Sequence, residues 1–420
     1  MKHFYQSALT LIGVLFTAVA ISQPIYDIVS INAGYPNQSF YSMGNGEVSN
    51  VSNTNWDLAF QITGFQATIR INGKNNVHLY RSGQDANAWS AITPNDTVGI
   101  LNASYELLDQ DTSWWIGAFN ATNDTTNQFD LGWGVYDFAT HVVTGDSLYF
   151  IILGNGAVKK LWIQSLANSV YYFAYADLDG SNEVNTSISK ANFTGKNFGY
   201  YSIENGNELN REPNKYDWDL TFCQYMAVTP ITYKVTGVLS NDSVFVAKAY
   251  PVDVNSVSFA GQSYSANIST IGYDWKTYDF NLNSYVVSDS LVYFVQDRPG
   301  NIWKLIFTDF GGSVNGNYEF TKEQVSTTGI NEAQAPVLLS LSPNPASDAI
   351  QLVYSSVSNN SNDRIEIYNV AGQLIHSALL EHGAGLQSLT IATDNLQNGI
   401  YTLRVMADGK QENRRFVIAR

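Results

Sequence analysis

The residues of this chain best suited to chemistry are two histidines, a serine beside a carboxylate, a short acidic cluster and a tryptophan pair. Of its five histidines, His3 lies in an apolar N-terminal leader and His376 and His382 in a separate C-terminal block. That leaves His78 and His141 as the imidazoles of the main body. Gly145-Asp146-Ser147-Leu148 places a serine next to an acid, but a serine nucleophile needs a histidine base that an aspartate orients. No Asp-x-x-His pair stands late in the chain to supply one. Ser288-Asp289-Ser290-Leu291 repeats the motif without its glycine, so a turn-to-strand junction accounts for both. Asp177-Leu178-Asp179-Gly180-Ser181-Asn182-Glu183 gathers oxygens of the kind calcium takes, yet Tyr175 stands where a further acid is needed, and an acidic turn is expected. Trp114-Trp115, flanked by Asp111, Thr112 and Asn120, is expected in a loop as an exposed aromatic contact. The one cysteine, Cys223, excludes an intrachain disulfide framework and thiolate-built metal sites. No catalytic residue and no metal site are expected, and the chain does not read as an enzyme.

These residues are held by a fold used twice. Asn55-Trp56-Asp57-Leu58-Ala59-Phe60 returns as Asp217-Trp218-Asp219-Leu220-Thr221-Phe222. The lead-in Tyr41-Ser42-Met43-Gly44-Asn45-Gly46 returns as Tyr201-Ser202-Ile203-Glu204-Asn205-Gly206. Downstream, Tyr136-Asp137-Phe138 answers Tyr278-Asp279-Phe280, and Tyr171-Tyr172-Phe173 answers Tyr318-Glu319-Phe320. Short alternating runs broken by Asn, Gly and Asp predict strands, with a hairpin-type turn at Asn72-Gly73 and a strand buried on both faces over Ser147–Leu153. Trp56 and Trp218, fixed in the repeated strand, are expected as core anchors. The expected organisation is a signal peptide over 1–22, repeat units over 24–185 and 190–326, a linker over 327–336 and a C-terminal block over 337–420. The fold class is all-β: two tandem β-domains followed by an immunoglobulin-like β-sandwich.

Charged residues make up 14% of the chain, and the net charge is −15. Polar surface is therefore built from Asn, Ser, Thr and Gln, and nucleic acid is excluded as a partner for want of clustered Lys and Arg. Met1-Lys2-His3 before an apolar run from about Ala8 to Ile21 reads as a secretory signal. No other segment is long and apolar enough to span a membrane.

The C-terminal block resembles the type A sorting domain of the type IX secretion system of Bacteroidota. The resemblance is carried by Ser342-Pro343-Asn344-Pro345, Ile367-Tyr368-Asn369-Val370-Ala371-Gly372, Leu396-Gln397-Asn398-Gly399-Ile400-Tyr401 and Arg415-Phe416-Val417-Ile418. It implies export to the cell surface or medium, with the type IX machinery as partner. The repeated units resemble the haemophore-like HmuY family, through the Trp-Asp-Leu strand, Ile71-Asn72-Gly73, Lys159-Lys160-Leu161-Trp162-Ile163 and the closing Tyr171-Tyr172-Phe173. That resemblance implies capture of haem or another small ligand, with His78 and His141 as the candidate haem ligands. The second unit has no histidine. The expected function is a secreted or cell-surface binding protein; the alternative is a surface adhesion or structural module with no small-molecule ligand.

Overall fold

The computed structural model describes residues 23–64, 66–228, 232–326, 337–355, 363–370, 372–380, 386–407 and 410–420. The expected signal peptide, the linker over 327–336 and His382 lie outside the described residues. The chain divides into a unit ending at Thr327 and a C-terminal unit from Thr328, and strands dominate both.

The first unit holds two lobes, each a large sheet packed on a four-stranded one. In the first lobe the large sheet runs in the order 184–189, 170–177, 158–167, 147–152, 78–85, 106–107, and the small sheet in the order 207–209, 198–202, 58–61, 69–71. In the second lobe the order is 25–30, 317–326, 302–310, 292–296, 245–249 over 233–240, 220–227, 37–42, 46–52. Strand Ser147–Ile152 is buried on both faces between its neighbours, as its unbroken apolar run predicts. Each lobe has its own core, one around Phe60, Trp133, Tyr149 and Phe173, the other around Phe222, Trp275, Tyr293 and Phe320.

The lobes do not coincide with the expected units 24–185 and 190–326. Strands from 25 to 52, the start of the first repeat, pair with the second lobe: Val29 lies opposite Tyr318, and Tyr41 opposite Leu220. Strands from 184 to 209, the start of the second repeat, complete the first lobe: Ile188 lies opposite Tyr171, and Tyr201 opposite Leu58. Each repeat therefore lends its opening strands to the other's sheets. The aspartates of the repeated motif secure this exchange. Asp57 accepts from the backbone N–H of Ile203 at 2.7 Å and of Glu204 at 3.2 Å, while Asp219 accepts from Met43 N–H at 2.7 Å. Both carboxylates are buried, and charge-assisted bonds to otherwise unpaired amides are what make such burial tolerable.

Asn72-Gly73 is not a hairpin turn. Strands 69–71 and 78–85 lie in different sheets, and the chain crosses between them through a 3₁₀ turn over Gly73–Asn75. The Asn72 amide explains why: it donates to the carbonyls of Asn53 (3.1 Å) and Trp56 (2.9 Å), holding the Trp-Asp strand entry from inside. Asn241 does the same in the second copy, donating to Lys215 and Trp218.

The C-terminal unit is a β-sandwich of a three-stranded sheet (337–342, 349–355, 386–392) and a four-stranded sheet (374–379, 364–369, 399–407, 410–418). Ile350, Leu352, Ile365, Ile367, Leu403 and Phe416 fill its core. Its sequence motifs meet in space. Asn344 Oδ1 accepts from Val417 N–H at 2.9 Å, and the Tyr401 hydroxyl donates to the Gln397 carbonyl at 2.9 Å.

Candidate functional site

Exchange of strands brings the two small sheets close together, and a small cleft of about 90 Å³ opens between the lobes. One wall comes from the first lobe: Trp56, then Arg70, Ile71, Asn72, Gly73 and Lys74, with Asp109, Asp111 and Trp114 from the long loop. The other wall is the second lobe's Cys223, Gln224, Tyr225, Met226 and Leu239. A cleft this small has room only for a small ion or a compact group, and its lining mixes apolar and charged side chains.

Trp114 and Trp115 were expected as exposed contacts, and the structure corrects this. Both are half-buried, and Trp115 stacks on Phe198 with ring centroids 5.9 Å apart. Trp114 joins the lobes: its indole N–H donates to the Ser240 carbonyl at 2.8 Å, and its ring packs on Phe198 of one lobe and Trp218 of the other. The loop that looked free by sequence is covered by the opposite lobe. Trp56 also departs from expectation. Trp218 is buried against Phe40 (centroids 5.0 Å), whereas Trp56 is half-buried and lines the cleft.

Charge in the cleft is unevenly compensated. Arg70 pairs with Asp109 at 3.5 Å and donates to the carbonyls of Gln110 and Ser113. Burial raises the Asp109 carboxyl, and Arg70 partly offsets that. Lys74 makes no hydrogen bond or ion pair among the described residues. Burial first, then the positive charge of Lys234, lowers its ammonium to about 8. Arg211, 7% exposed, rests on Tyr200 and on the cleft residue Trp56 with its guanidinium 4.8 and 5.6 Å from the ring centroids. One of its nitrogens donates to the Ser52 carbonyl at 2.8 Å, while Nε and Nη1 are buried without a hydrogen-bond acceptor. Neighbouring Glu212 accepts from the N–H groups of Asn197 and Phe198 at 3.1 Å, and burial pushes its carboxyl up to about 7. Cys223 is a buried thiol, pushed up to about 12 by burial.

The two histidines lie elsewhere, and bis-histidine haem ligation is excluded. His78 stands opposite Ile152, which stands opposite Val158 at one end of strand 158–167. His141 directly precedes strand 142–145, which pairs at Ser165 and Leu166 near the other end. Eight residues of strand separate the two places, roughly 26 Å at about 3.3 Å per residue. Imidazoles on opposite sides of one iron need nitrogens about 4 Å apart, twice a bond of about 2 Å. Each also has a local structural role. His78 Nδ1 lies 2.6 Å from Glu106 Oε1. His141 occupies a left-handed turn position (φ 58°) with Nδ1 2.7 Å from the Tyr136 hydroxyl, and in the second copy Asn283 (φ 52°) takes the same place against Tyr278.

The remaining motifs read as structure. Ser147 is buried, accepts from Arg81 at 2.6 Å and donates to Asp146 at 2.7 Å. Asp177 takes bonds from Lys159 and Asn182, both at 2.6 Å, as an ordinary closed turn does. Among the described residues no group of three or more His, Cys, Asp or Glu side chains converges on a metal-sized site.

Residues 340–419 match the family described as the secretion system C-terminal sorting domain. The C-terminal unit is a sorting domain. Its sandwich, with the Asn344 loop tied to the Phe416–Ile418 strand, belongs to the type IX route, so the protein is secreted or displayed at the cell surface. No curated protein matches the chain. Among the described residues no helix is long and apolar enough to cross a membrane.

Proposed function

We propose that this sorted protein is a non-catalytic binding protein of the cell exterior, and that it captures a small molecule bearing an anionic group in the cleft between its lobes. The carrying observation is Lys74: a half-buried ammonium facing the cleft with no counter-ion among the described residues, in a protein whose net charge is −15. Arg211, with two nitrogens lacking acceptors beside Trp56, adds positive potential to the same place. Trp56 and Trp114 give part of the cleft wall an apolar surface, with the guanidiniums of Arg211 and Arg70 over their rings. Small-ligand capture agrees with the likeness of the repeats to the HmuY family; ligation of haem by paired histidines does not survive the geometry. The surroundings of Ser147 support a binding role over an esterase one.

Thermal unfolding of the full chain with small carboxylates and inorganic phosphate, at matched ionic strength, tests this reading. A ligand that binds only the folded state raises Tm with concentration. The rise is expected below pH 8, where Lys74 is charged, and fades above it as the ammonium loses its proton. Lys74→Met abolishes it. An equal rise in Lys74→Met, or none with any anion, contradicts the assignment.

A further inference from the structure

The second lobe carries a separate groove of about 960 Å³ whose chemistry differs from that of the cleft. Tyr278, Tyr285, Phe310 and Tyr35 line it, and Phe280 stands beside Tyr278 outside the lining. Phe280 lies 5.2 Å from Tyr278, Tyr278 5.2 Å from Tyr285, Tyr285 4.9 Å from Phe310, and Phe310 6.3 Å from Tyr35 (centroid distances). Phe280, at the tip of the 276–287 hairpin, is 88% exposed. Among the described residues its one ring contact is the edge-on Tyr278, although a ring of this size favours burial. Tyr35 is held at φ 61°, a strained conformation for a bulky residue. Gly312 keeps the floor open: a Cβ there would press on the Tyr285 ring at 3.3 Å.

Between the rings stand hydrogen-bonding groups of both senses: Asn283, Ser284, Ser313 and the Asp309 carboxylate. Among the described residues no lysine or arginine lines the groove, and Lys276, over the Phe310 ring at 4.5 Å, is buried and donates to the Thr236 carbonyl at 2.7 Å. One exposed ring beside half-buried ones, flanked by amide, hydroxyl and carboxylate groups, fits a flat molecule with apolar C–H faces and a rim of hydroxyls. We infer that this groove binds a neutral oligosaccharide, with Tyr278 and Tyr285 of its lining and Phe280 at its edge as stacking platforms. The first lobe keeps only part of the array. Phe138, 74% exposed, repeats Phe280, but strand register puts Val143 where the second lobe has Tyr285. Sugar binding therefore belongs to the second lobe, and it stands or falls independently of the cleft.

Affinity electrophoresis of the full chain through gels containing soluble β-glucan, xylan or galactomannan is the test. Retardation by at least one of them is expected, with Phe280→Ala and Tyr278→Ala each weakening it about ten-fold, as a stacking anchor would. Phe280 makes no buried contact, so its substitution leaves the fold intact even if Tyr278→Ala does not. No retardation in any gel, equal retardation of Phe280→Ala and the parent, or retention only by an acidic polysaccharide such as pectate would overturn the inference.

Discussion

A fragment spanning residues 57–212 is expected to fold alone, whereas one spanning 24–185, a whole repeat by sequence, is not. The first fragment contains both sheets of the first lobe, including the strands 184–209 that close it. The second fragment lacks 198–209. Strand Leu58–Gln61 then loses its partner at Phe198–Tyr201, and the Asp57 carboxylate loses the amides it binds. Its opening strands, 25–52, meanwhile have no sheet to join, because theirs is built from 220–240 and 317–326. A buried carboxylate stripped of its donors alone costs about 3–5 kcal/mol, a large share of the about 5–15 kcal/mol by which domains are stable, and the unpaired strands add to it. Amide chemical-shift dispersion of the two fragments reads the difference. A well-dispersed spectrum from 24–185 would mean that the repeats close on themselves.

Trp218→Ala is expected to destabilise the protein by about 3–5 kcal/mol, as truncation of a fully buried tryptophan does. Its ring fills the space between Phe40, which belongs to the other repeat's opening strand, and Trp114 from the first lobe. Its indole N–H has no acceptor, so the loss is of packing. Trp56→Ala, at the matching sequence position but half-buried on the cleft wall, is expected to cost about 1 kcal/mol. Denaturant midpoints of the two variants measure the contrast. Equal losses would show that both tryptophans are core anchors, as their shared motif implies, and would remove the asymmetry on which the cleft depends.

Much of the architecture is legible in the residues themselves. Alternation and turn chemistry mark an all-β chain, the unbroken run from Ser147 marks a strand covered on both faces, and the motifs from Ser342 to Ile418 mark the sorting sandwich. Phase is another matter. A tandem repeat reveals its period, but identical pairings such as Tyr41 with Leu220 and Tyr201 with Leu58 leave open which copy's opening strands join which lobe. Only the closed three-dimensional packing decides it. The cleft was hidden for the same reason. Lys74, Trp114 and Cys223 are far apart in sequence and meet only through the exchange, and a tryptophan in a polar loop looks exposed until the lobe that covers it is known. One signal was available. Tyr-Asp-Phe occurs in both copies, and its phenylalanine, which a strand pattern reads as core, ends exposed on both hairpins.

The central claim, that an anionic small molecule enters between the lobes, is met most directly by ¹⁹F NMR of the full chain carrying fluorotryptophan. Titration with the carboxylate or phosphate that stabilises the protein should move the resonances of Trp56 and Trp114, which line the cleft, and leave those of Trp133 and Trp275, buried in the two lobe cores, in place. Saturable binding with Trp56 and Trp114 unmoved would contradict the account.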